Sequence, residues 1–477
     1  MKKSHNMTML VDFYELTMAS GYFESGKRDT IAYFDVFYRK NPDGGGFAIA
    51  AGLQSIIDYV KELSFSEEDI EYLRNRGGFS EEFLDYLRNF KCTCDIWAVP
   101  EGTPVFPGEP LLTVRGPLIE AQLMETYILL AINHQSLIAT KTSRIVRAAE
   151  GRPVMEFGSR RAHGESAAIL GARAAYIAGA AGSACVKADI DYGVPATGTM
   201  AHSWVQVFGE EIEAFREYAR QHRDNCSLLV DTYDVLKSGV PNAIKVFKEF
   251  KPEKMSIRID SGDIAYLSRR ARNMLDAEGL FECKIIASNS LDEYLIRDML
   301  IQNAAIDSFG VGEKMITSKS EPVFGGVYKL VAVEEDGKIS PRIKISENIE
   351  KITNPGFKKA VRFYDKVTNK AVADLIMLED EKIDETKPYK LFNPEFVWKK
   401  KTISDFYVKE LAKPIFKQGK LVYNERNTNE IREYCREQLD TLWPEVMRFE
   451  NPHQYYVDLS EKLWSLKQEL IEGHNFK

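Results

Sequence analysis

The sequence has no excess of positive charge, although its 477 residues are enough for about three domains. Its 63 Lys and Arg residues are outnumbered by 71 Asp and Glu residues, and the formal net charge is −8. A dedicated nucleic-acid or membrane-surface binder is normally basic, so this balance argues against both classes. A small anionic substrate is not excluded, because a few local arginines are enough to bind one.

Cysteine is scarce and dispersed along the chain. The six cysteines stand at positions 92, 94, 185, 226, 283 and 435. Cys92 and Cys94 form a C-x-C pair, which in a strand would place both side chains on one face. The sequence has no C-x-x-C motif and no Cys/His group with zinc spacing. Free thiols in a reducing compartment explain this usage best, so we expect a cytoplasmic protein.

Long hydrophobic runs are also missing. The most apolar stretch, residues 167–186, consists mainly of small residues and contains Arg173. A packed internal helix explains it better than a membrane span. Asp12 and Glu15 come before any apolar segment, so we expect no signal peptide.

Short apolar runs alternate with helical stretches between about residues 153 and 325. The runs begin near residues 153, 227, 255, 284 and 306, and each ends in Gly, Asp, Ser or Asn. After the fourth run, Ser290 and Glu293 match a capping box. This alternation indicates parallel βαβ units, for which a barrel or partial barrel is the natural closure.

The flanking regions have a different pattern. It predicts a helix over residues 8–23, strands over 31–37 and 47–51, and C-terminal helices near 429–441 and 453–471. We therefore predict an α/β fold in three parts. These are an N-terminal α+β domain (1–134), an α/β barrel catalytic domain (135–334) and a C-terminal α+β appendage (335–477).

Polar residues gather at the ends of the predicted strands. In a βα barrel these ends converge on one mouth, where catalytic groups lie. The candidates are Arg160, Asp231, Asp260, Asp263, Ser288, Asn289, Gly310 and Gly312, joined by Thr199 and His202 from the loop at 198–203.

Three kinds of group in this set fit a phosphorylated sugar. Arg160 and Arg258 can grip anionic groups bidentately. The glycine-rich turn can offer backbone N–H groups to phosphate, and Asp260 with Asp263 can hold ribose hydroxyls or a magnesium ion. Structural explanations stay open: Asp263 can cap a helix, Arg258 can form an internal salt bridge with Asp260 or Asp231, and His202 can be an ordinary loop histidine.

Six segments carry a family resemblance when they are taken together. They are residues 12–18 (DFYELTM), 156–161 (EFGSRR), 198–203 (GTMAHS), 231–234 (DTYD), 258–263 (RIDSGD) and 325–330 (GGVYKL). In order and spacing, over about residues 8–334, they resemble the nicotinate phosphoribosyltransferase family. The resemblance implies an irregular, incomplete α/β barrel with an N-terminal domain, and homodimers with shared active sites.

The resemblance also implies the reaction and its participants. Nicotinate and 5-phosphoribosyl 1-diphosphate would give nicotinate mononucleotide and diphosphate, an ATP-dependent, ligase-type step of NAD salvage. ATP would phosphorylate His202, and Asp260 and Arg258 would complete the catalytic set. Mg²⁺ would be the cofactor, held by Asp260 and Asp263, and no nucleic-acid or membrane partner is implied.

The remaining implied roles concern substrate binding. Tyr14 of the partner subunit and Phe157 would sandwich the pyridine ring, with Thr199 and Arg258 beside the substrate carboxylate. The residues implied for 5-phosphoribosyl 1-diphosphate are Arg160 at the diphosphate, Asp260, Ser288 and Asn289 around the ribose, Gly310 and Gly312 at the 5-phosphate, and Asp231 as a further contact.

One departure and three alternatives accompany the resemblance. Glu313 follows Gly312 where Thr is frequent among relatives, and its role is open. A nicotinamide phosphoribosyltransferase would use a carboxylate in the region matching residues 179–185, which contains no acid here. A quinolinate enzyme would be shorter, with a denser cluster of cations. A non-catalytic nucleotide-binding protein on the same scaffold is the third alternative.

Overall fold

The structure is a computed structural model that describes residues 6–348, 351–394 and 396–475. The α-helices are α1 Phe13–Glu24, α2 Leu53–Glu62, α3 Glu67–Arg76, α4 Glu81–Arg88, α5 Leu118–Gln122, α6 Glu125–Ala148, α7 Glu165–Ile177, α8 Val186–Tyr192, α9 His202–Val207, α10 Glu211–Gln221, α11 Val240–Phe250, α12 Ile264–Ala277, α13 Glu293–Ile301, α14 Glu313–Ile316, α15 Thr428–Leu439 and α16 Glu461–Asn475. The strands are β1 Ile31–Phe37, β2 Ala48–Ile49, β3 Asp95–Ala98, β4 Pro104–Val105, β5 Leu112–Pro117, β6 Val154–Glu156, β7 Gly182–Ser183, β8 Cys226–Leu229, β9 Met255–Ile259, β10 Lys284–Ser288, β11 Ser308–Val311, β12 Val327–Glu335, β13 Lys338–Pro341, β14 Lys358–Asp365, β15 Ala371–Leu378, β16 Tyr389–Phe392, β17 Lys400–Ile403, β18 Phe406–Glu410, β19 Lys413–Lys417, β20 Lys420–Leu421 and β21 Val457–Leu459.

The chain forms two compact units. Unit 1 comprises Met1–Leu137, Val323–Arg426 and Tyr434–Lys477, and unit 2 comprises Ile138–Pro322 and Asn427–Glu433. Unit 1 therefore draws on both ends of the chain. The division into three domains at residues 134 and 334 stays a prediction.

Unit 2 is built on a curled, half-barrel sheet of six parallel strands. The strand order is β7-β6-β11-β10-β9-β8, and every neighbouring pair is parallel. The five apolar runs that the sequence analysis singled out correspond to β6, β8, β9, β10 and β11, so the predicted alternation of strands and helices is confirmed. These strands are buried along most of their length, as expected when helices cover both faces of a parallel sheet.

Two helices that follow strands of this sheet begin at aspartate caps. The Asp263 carboxylate accepts a hydrogen bond from the Tyr266 amide at 3.0 Å, and Asp292 does the same for Leu295 at 2.9 Å. The capping box predicted from Ser290 and Glu293 is therefore wrong.

The Glu293 side chain instead lies fully buried between two cations of α6. Its carboxylate oxygens are 2.9 Å from Lys141 Nζ and 2.8 Å from Arg144 Nε. A carboxylate that is paired with two buried cations is not available to close the start of its own helix.

Unit 1 contains a seven-stranded sheet ordered β13-β12-β1-β5-β3-β19-β20 and a four-stranded sheet ordered β18-β14-β15-β21. Strand β1 has the predicted bounds and pairs antiparallel with β5 and β12. The first predicted C-terminal helix corresponds to α15. The second begins later than predicted, because residues 457–459 form β21 and the Ser460 hydroxyl accepts a hydrogen bond from the Leu463 amide at the start of α16.

The small-residue stretch at 167–186 is divided between two elements. Its first part lies in α7, which ends at Ile177 and buries Arg173, and β7 follows at Gly182. The predicted packed helix is thus confirmed as far as Ile177. Among the described residues, no helix has the length and apolar character needed to cross a membrane.

Candidate active site

The predicted polar residues of unit 2 lie along the carboxyl edge of its parallel sheet. Arg258 lies in β9, Ser288 is the last residue of β10, and Asp231 follows β8 by two positions. Because neighbouring parallel strands end at the same edge, residues far apart in the chain become neighbours there.

The Arg258 guanidinium connects three of these segments. Its Nη1 donates to Thr199 Oγ1 at 3.0 Å and its Nε to Ser288 Oγ at 2.8 Å. The predicted internal salt bridge is confirmed as well, since Nη2 donates to Asp260 Oδ1 at 2.7 Å. A guanidinium has five N–H donors, and the described contacts leave one N–H of Nη2 available to an incoming anion.

Asp260 is the second centre of this cluster. Its Oδ1 accepts hydrogen bonds from both Arg258 and the Ser288 hydroxyl, and its backbone N–H donates to Asp231 Oδ2 at 3.1 Å. Asp260 Oδ2 has no partner among the described side chains. One carboxylate oxygen is therefore held in place while the other can meet a ligand.

His202 and Asp231 form the second part of the site. The imidazole Nδ1 is 3.2 Å from Thr232 Oγ1, and Nε2 is 4.0 Å from Asp231 Oδ1. The Asp231 carboxylate is fully buried, and its Oδ2 also accepts from the Ser261 hydroxyl at 2.6 Å. Its Oδ1 is buried without a hydrogen-bond partner. Because buried carboxylate oxygens are normally satisfied, Oδ1 is oriented to receive a donor from the imidazole or from a ligand.

Phe157 packs beside the Arg258 guanidinium, whose central carbon is 5.7 Å from the ring centroid. The ring fits only because residue 310 has no side chain. A Cβ on Gly310 would lie 2.4 Å from Phe157 Cδ2, and one on Gly312 would lie 3.0 Å from the Phe157 carbonyl oxygen. Both glycines thus have a packing role, and their contact with a 5-phosphate stays a prediction.

Three further candidates have no described contact with the Arg258 cluster. Arg160 is exposed in a short 3₁₀ turn and makes no ion pair with the described residues. Asn289 is exposed just after β10 and has a φ of 89°, which is rare for a residue other than glycine and strains the backbone there. Asp263 uses one carboxylate oxygen to cap α12.

Asp260 and Asp263, the residues predicted to bind magnesium, both have a carboxylate oxygen that a metal ion could use. Asp260 and Asp263 each retain one carboxylate oxygen without a described protein partner. Mg²⁺ prefers oxygen ligands and is often held by one or two carboxylates together with substrate phosphates. The chemistry of these two residues therefore suits the ion, and their binding of Mg²⁺ stays a prediction.

Tyr14 belongs to unit 1, where its ring is 43% exposed on α1. Partial burial and the neighbouring Glu125 carboxylate raise the pKa of its phenol above the ordinary value, so it stays neutral. Leu10, Phe13 and Met18 are exposed apolar residues of the same part of the chain.

Glu156 has a part in the site that was not predicted from the sequence. Its buried carboxylate accepts hydrogen bonds from the Ser183 hydroxyl at 2.5 Å and from the Gly158 amide, and burial raises its pKa. It thereby fixes the turn that leads from Phe157 toward Arg160. The sequence feature that could have indicated this role is an acidic residue at the end of a predicted apolar strand.

The open question about Glu313 has a local answer. The Lys319 ammonium donates to its carboxylate at 2.6 Å, and this contact lowers the pKa of Glu313. The negative charge beside Gly312 is therefore partnered.

Polar side chains gathered at the carboxyl edge of a parallel sheet are typical of α/β enzymes that bind small substrates there. Family models match most of the chain: the N-terminal domain of nicotinate phosphoribosyltransferase (NAPRTase) at residues 9–133, the NAPRTase family at 153–369 and the NAPRTase C-terminal domain at 357–467. The chain belongs to the nicotinate phosphoribosyltransferase family.

Individual relatives extend over nearly the whole chain. Nicotinate phosphoribosyltransferase of Bacillus subtilis (strain 168) is 43% identical over 471 residues, covering 98% of this chain and 96% of that protein. The Homo sapiens enzyme is 30% identical over 527 residues, covering 98% and 97%.

Two solved structures resemble the fold. The crystal structure of human nicotinic acid phosphoribosyltransferase matches with a TM-score of 0.83 at 28% identity, covering 97% of this chain and 100% of that one. The nicotinate-nucleotide pyrophosphorylase from Pyrococcus furiosus matches with a TM-score of 0.71 at 23% identity over 92% and 99%, which is a likeness of fold alone.

Proposed function

We propose that the protein transfers a phosphoribosyl group to nicotinate in an ATP-coupled step of NAD salvage. Nicotinate and 5-phosphoribosyl 1-diphosphate give nicotinate mononucleotide and diphosphate. The observation that carries the proposal is the Arg258 cluster, in which one guanidinium ties Thr199, Ser288 and Asp260 together beside an aromatic ring. Family membership supports the identity of the substrates.

Nicotinate binding requires a surface for its ring and a cation for its carboxylate. The Phe157 ring offers a face on which the pyridine ring can stack. The N–H of Arg258 Nη2 that has no described partner can donate to the nicotinate carboxylate. Thr199, which holds the other side of the guanidinium, fixes its orientation.

The sugar phosphate is assigned to the rest of the sheet edge. Asp260, Ser288 and Asn289 orient the ribose, and Asp231 contributes through its contact with the Asp260 backbone. Gly310 and Gly312 lie at the 5-phosphate, and Arg160 has a free guanidinium for the diphosphate. Mg²⁺, when bound by Asp260 and Asp263, supplies positive charge that neutralises the departing diphosphate.

The transfer itself exchanges one bond at the ribose for another. The pyridine nitrogen forms its bond to C1′ with its lone pair as the C1′–O bond to diphosphate breaks and diphosphate leaves with the electron pair. Positive charge develops on the ribose in an oxocarbenium-like state. The negative charge of the Asp260 carboxylate stabilises this state electrostatically.

We assign the ATP coupling to His202. A neutral imidazole nitrogen can attack the γ-phosphorus of ATP, so that ADP leaves and a phosphohistidine remains. Water later hydrolyses this labile phosphoramidate and releases phosphate. Asp231 and Thr232, one near each ring nitrogen, position the imidazole.

We further propose a cytoplasmic homodimer in which Tyr14 of the partner subunit stacks on the nicotinate ring. Leu10, Phe13, Tyr14 and Met18 are large exposed hydrophobic side chains within nine residues of sequence, and association would cover them. Residues 135–334 are proposed to act as an irregular barrel domain, with α+β parts on either side in sequence.

The reaction is tested with purified protein, both substrates and Mg²⁺, with and without ATP. We expect nicotinate mononucleotide and diphosphate in equal amounts, and faster turnover with ATP. A competition between radiolabelled nicotinate and nicotinamide separates the alternatives. Equal or better use of the amide would refute nicotinate as the substrate, and binding of phosphoribosyl diphosphate without release of diphosphate would identify a non-catalytic binder.

The histidine assignment is tested by intact-mass measurement after incubation with ATP. The wild-type protein should gain one phosphate that maps to His202. The His202→Ala variant should gain none and should lose ATP hydrolysis, while slow ATP-independent synthesis continues. Labelling of this variant by ATP would contradict the assignment.

The shared site is tested by mixing variants. Tyr14→Ala should weaken nicotinate binding by about 1–3 kcal/mol, the range for an aromatic stack. Refolding a mixture of Tyr14→Ala and His202→Ala subunits should restore part of the ATP-coupled activity, because one of the two sites is then intact. No recovery in mixed dimers would argue against a site completed by the partner.

A further inference from the structure

Unit 1 contains a group of thiols and a carboxylate that the proposed reaction does not use. The Sγ atoms of Cys92 and Cys94 and a carboxylate oxygen of Glu120 all lie within 4.8 Å of one another. In the part of the chain that the structure describes, no other set of three or more His, Cys, Asp or Glu side chains comes together so closely.

The three residues come from two adjoining segments. Cys92 and Cys94 lie between α4 and β3 and not in a strand, but their two sulfur atoms still lie close together. Glu120 lies in α5. Thr93, between the two cysteines, donates to Glu120 through its backbone N–H at 2.5 Å and its hydroxyl at 3.0 Å, and this draws the C-x-C segment onto the carboxylate.

The contacts hold the carboxylate as a metal ligand is normally held. Metal-binding carboxylates are oriented by further hydrogen bonds, and here Thr93 supplies them. Cys94 Sγ is 3.8 Å from Glu120 Oε2, so the thiol and the carboxylate already face each other.

The surroundings leave one open side. Cys94 and Glu120 are buried, whereas Cys92 is half-buried and can be reached from solvent. A Cβ on Gly116 would lie 2.3 Å from Cys94 Sγ, so the glycine makes room for the sulfur. Two sulfurs and one oxygen around a partly open position match a tetrahedral site that keeps a place for water.

We propose that Cys92, Cys94 and Glu120 form a binding site for a thiophilic divalent cation of the Zn²⁺ type. Binding releases the two thiol protons to solvent, and two thiolates, one carboxylate and the dication leave a net charge of about −1. In a tetrahedral zinc site two sulfur ligands are about 3.8 Å apart, and a sulfur and an oxygen ligand are about 3.5 Å apart. The three atoms therefore need to approach by about 1 Å at most.

The site is tested on the reduced, full-length protein with Co²⁺ as a spectroscopic probe. We expect one equivalent of Co²⁺ to produce a thiolate-to-cobalt charge-transfer band, and Zn²⁺ to remove it by displacement. Zn²⁺ should also raise the melting temperature. The absence of a charge-transfer band in the wild-type protein would overturn the proposal.

Single substitutions identify the ligands. Cys92→Ser, at the half-buried position, should keep the fold and weaken Co²⁺ binding at least about tenfold, the lower end for disturbed metal sites. Cys94→Ser and Glu120→Gln should do the same, and Cys283→Ser, which removes a buried thiol elsewhere, should change nothing. Circular dichroism before each titration separates loss of metal binding from loss of folding.

Two other results would also overturn the assignment. One is a band that persists in both Cys92→Ser and Cys94→Ser, since the metal would then be bound elsewhere. The other is a Cys92–Cys94 disulfide, found by peptide mapping of protein purified without reductant, together with a reduced form that takes up no metal. That outcome would make the pair a redox dithiol.

Discussion

Replacement of Gly310 by alanine tests the geometry of the site most directly. The new Cβ would lie 2.4 and 2.6 Å from two carbons of the Phe157 ring, whereas carbon atoms pack best at about 3.5–4.0 Å. The ring must therefore retreat by about 1 Å or more. Overpacking of this kind costs about 1–3 kcal/mol, which corresponds to about a 5- to 150-fold change in an equilibrium constant.

Because Phe157 is assigned to the pyridine ring, we expect this cost in nicotinate binding. The Gly310→Ala variant should show a 5- to 150-fold higher KM for nicotinate, within the range just given. The KM for 5-phosphoribosyl 1-diphosphate should change less, since alanine keeps the backbone N–H assigned to the 5-phosphate. Steady-state kinetics with each substrate varied in turn measures both constants.

Two further variants make the result specific. Gly209→Ala is the matched control, because a Cβ there meets nothing within 4 Å and no positive φ stands in the way. In a Phe157→Leu background the Gly310→Ala change should have a smaller effect, since the shorter side chain relieves the contact. Unchanged nicotinate KM in Gly310→Ala, or fully additive effects in the double variant, would refute the packing argument.

Three other substitutions give distinct readouts. Asp231→Asn removes the buried carboxylate that faces His202 and should slow phosphohistidine formation, followed by intact mass, about ten- to a hundredfold; an equal loss of ATP-independent synthesis would show that Asp231 acts through Asp260 and not on His202 in particular. Glu293→Ala removes a buried carboxylate that contacts two buried cations and should cost about 3–5 kcal/mol of stability. The change of the exposed Glu71 to Ala should alter stability by no more than about 0.5 kcal/mol in thermal melts. Burial raises the pKa of Asp458 to about 7 from 3.8, so its contribution to stability is present below pH 4 and is lost as the pH rises through 7. Asp458→Asn should therefore raise the melting temperature at pH 8 but not at pH 4; a pH-independent difference would contradict the assignment.

Local patterns were enough to predict the sheet of unit 2 and most of its polar edge. Each apolar run was short, ended in a turn-forming residue and was followed by a helical pattern, so the strand positions followed from the chain itself. The Asp263 cap and the salt bridge from Arg258 to Asp260 were accessible for the same reason, since in each case the partners are two or three residues apart.

Long-range contacts could not be predicted in this way. Glu293 looked like a capping residue, but its partners lie about 150 positions earlier in the chain. The packing role of Gly310 depends on the Phe157 ring, which comes directly after another strand, β6. The glycine-rich sequence at 310–312 gave no indication of this contact. The contact between Glu156 and Ser183 likewise arises only when β6 and β7 pair.

The composition of unit 1 from both ends of the chain has a consequence for synthesis. One edge of strand β3, which begins at residue 95, pairs with β19, which begins only at residue 413. In the four-stranded sheet, β15 pairs with β21, which begins at residue 457. A ribosome must release nearly the whole polypeptide before these edges can close, while most of unit 2 emerges as one continuous stretch. Early β-edges of the nascent chain therefore stay open during translation, when they are most exposed to aggregation and to chaperones.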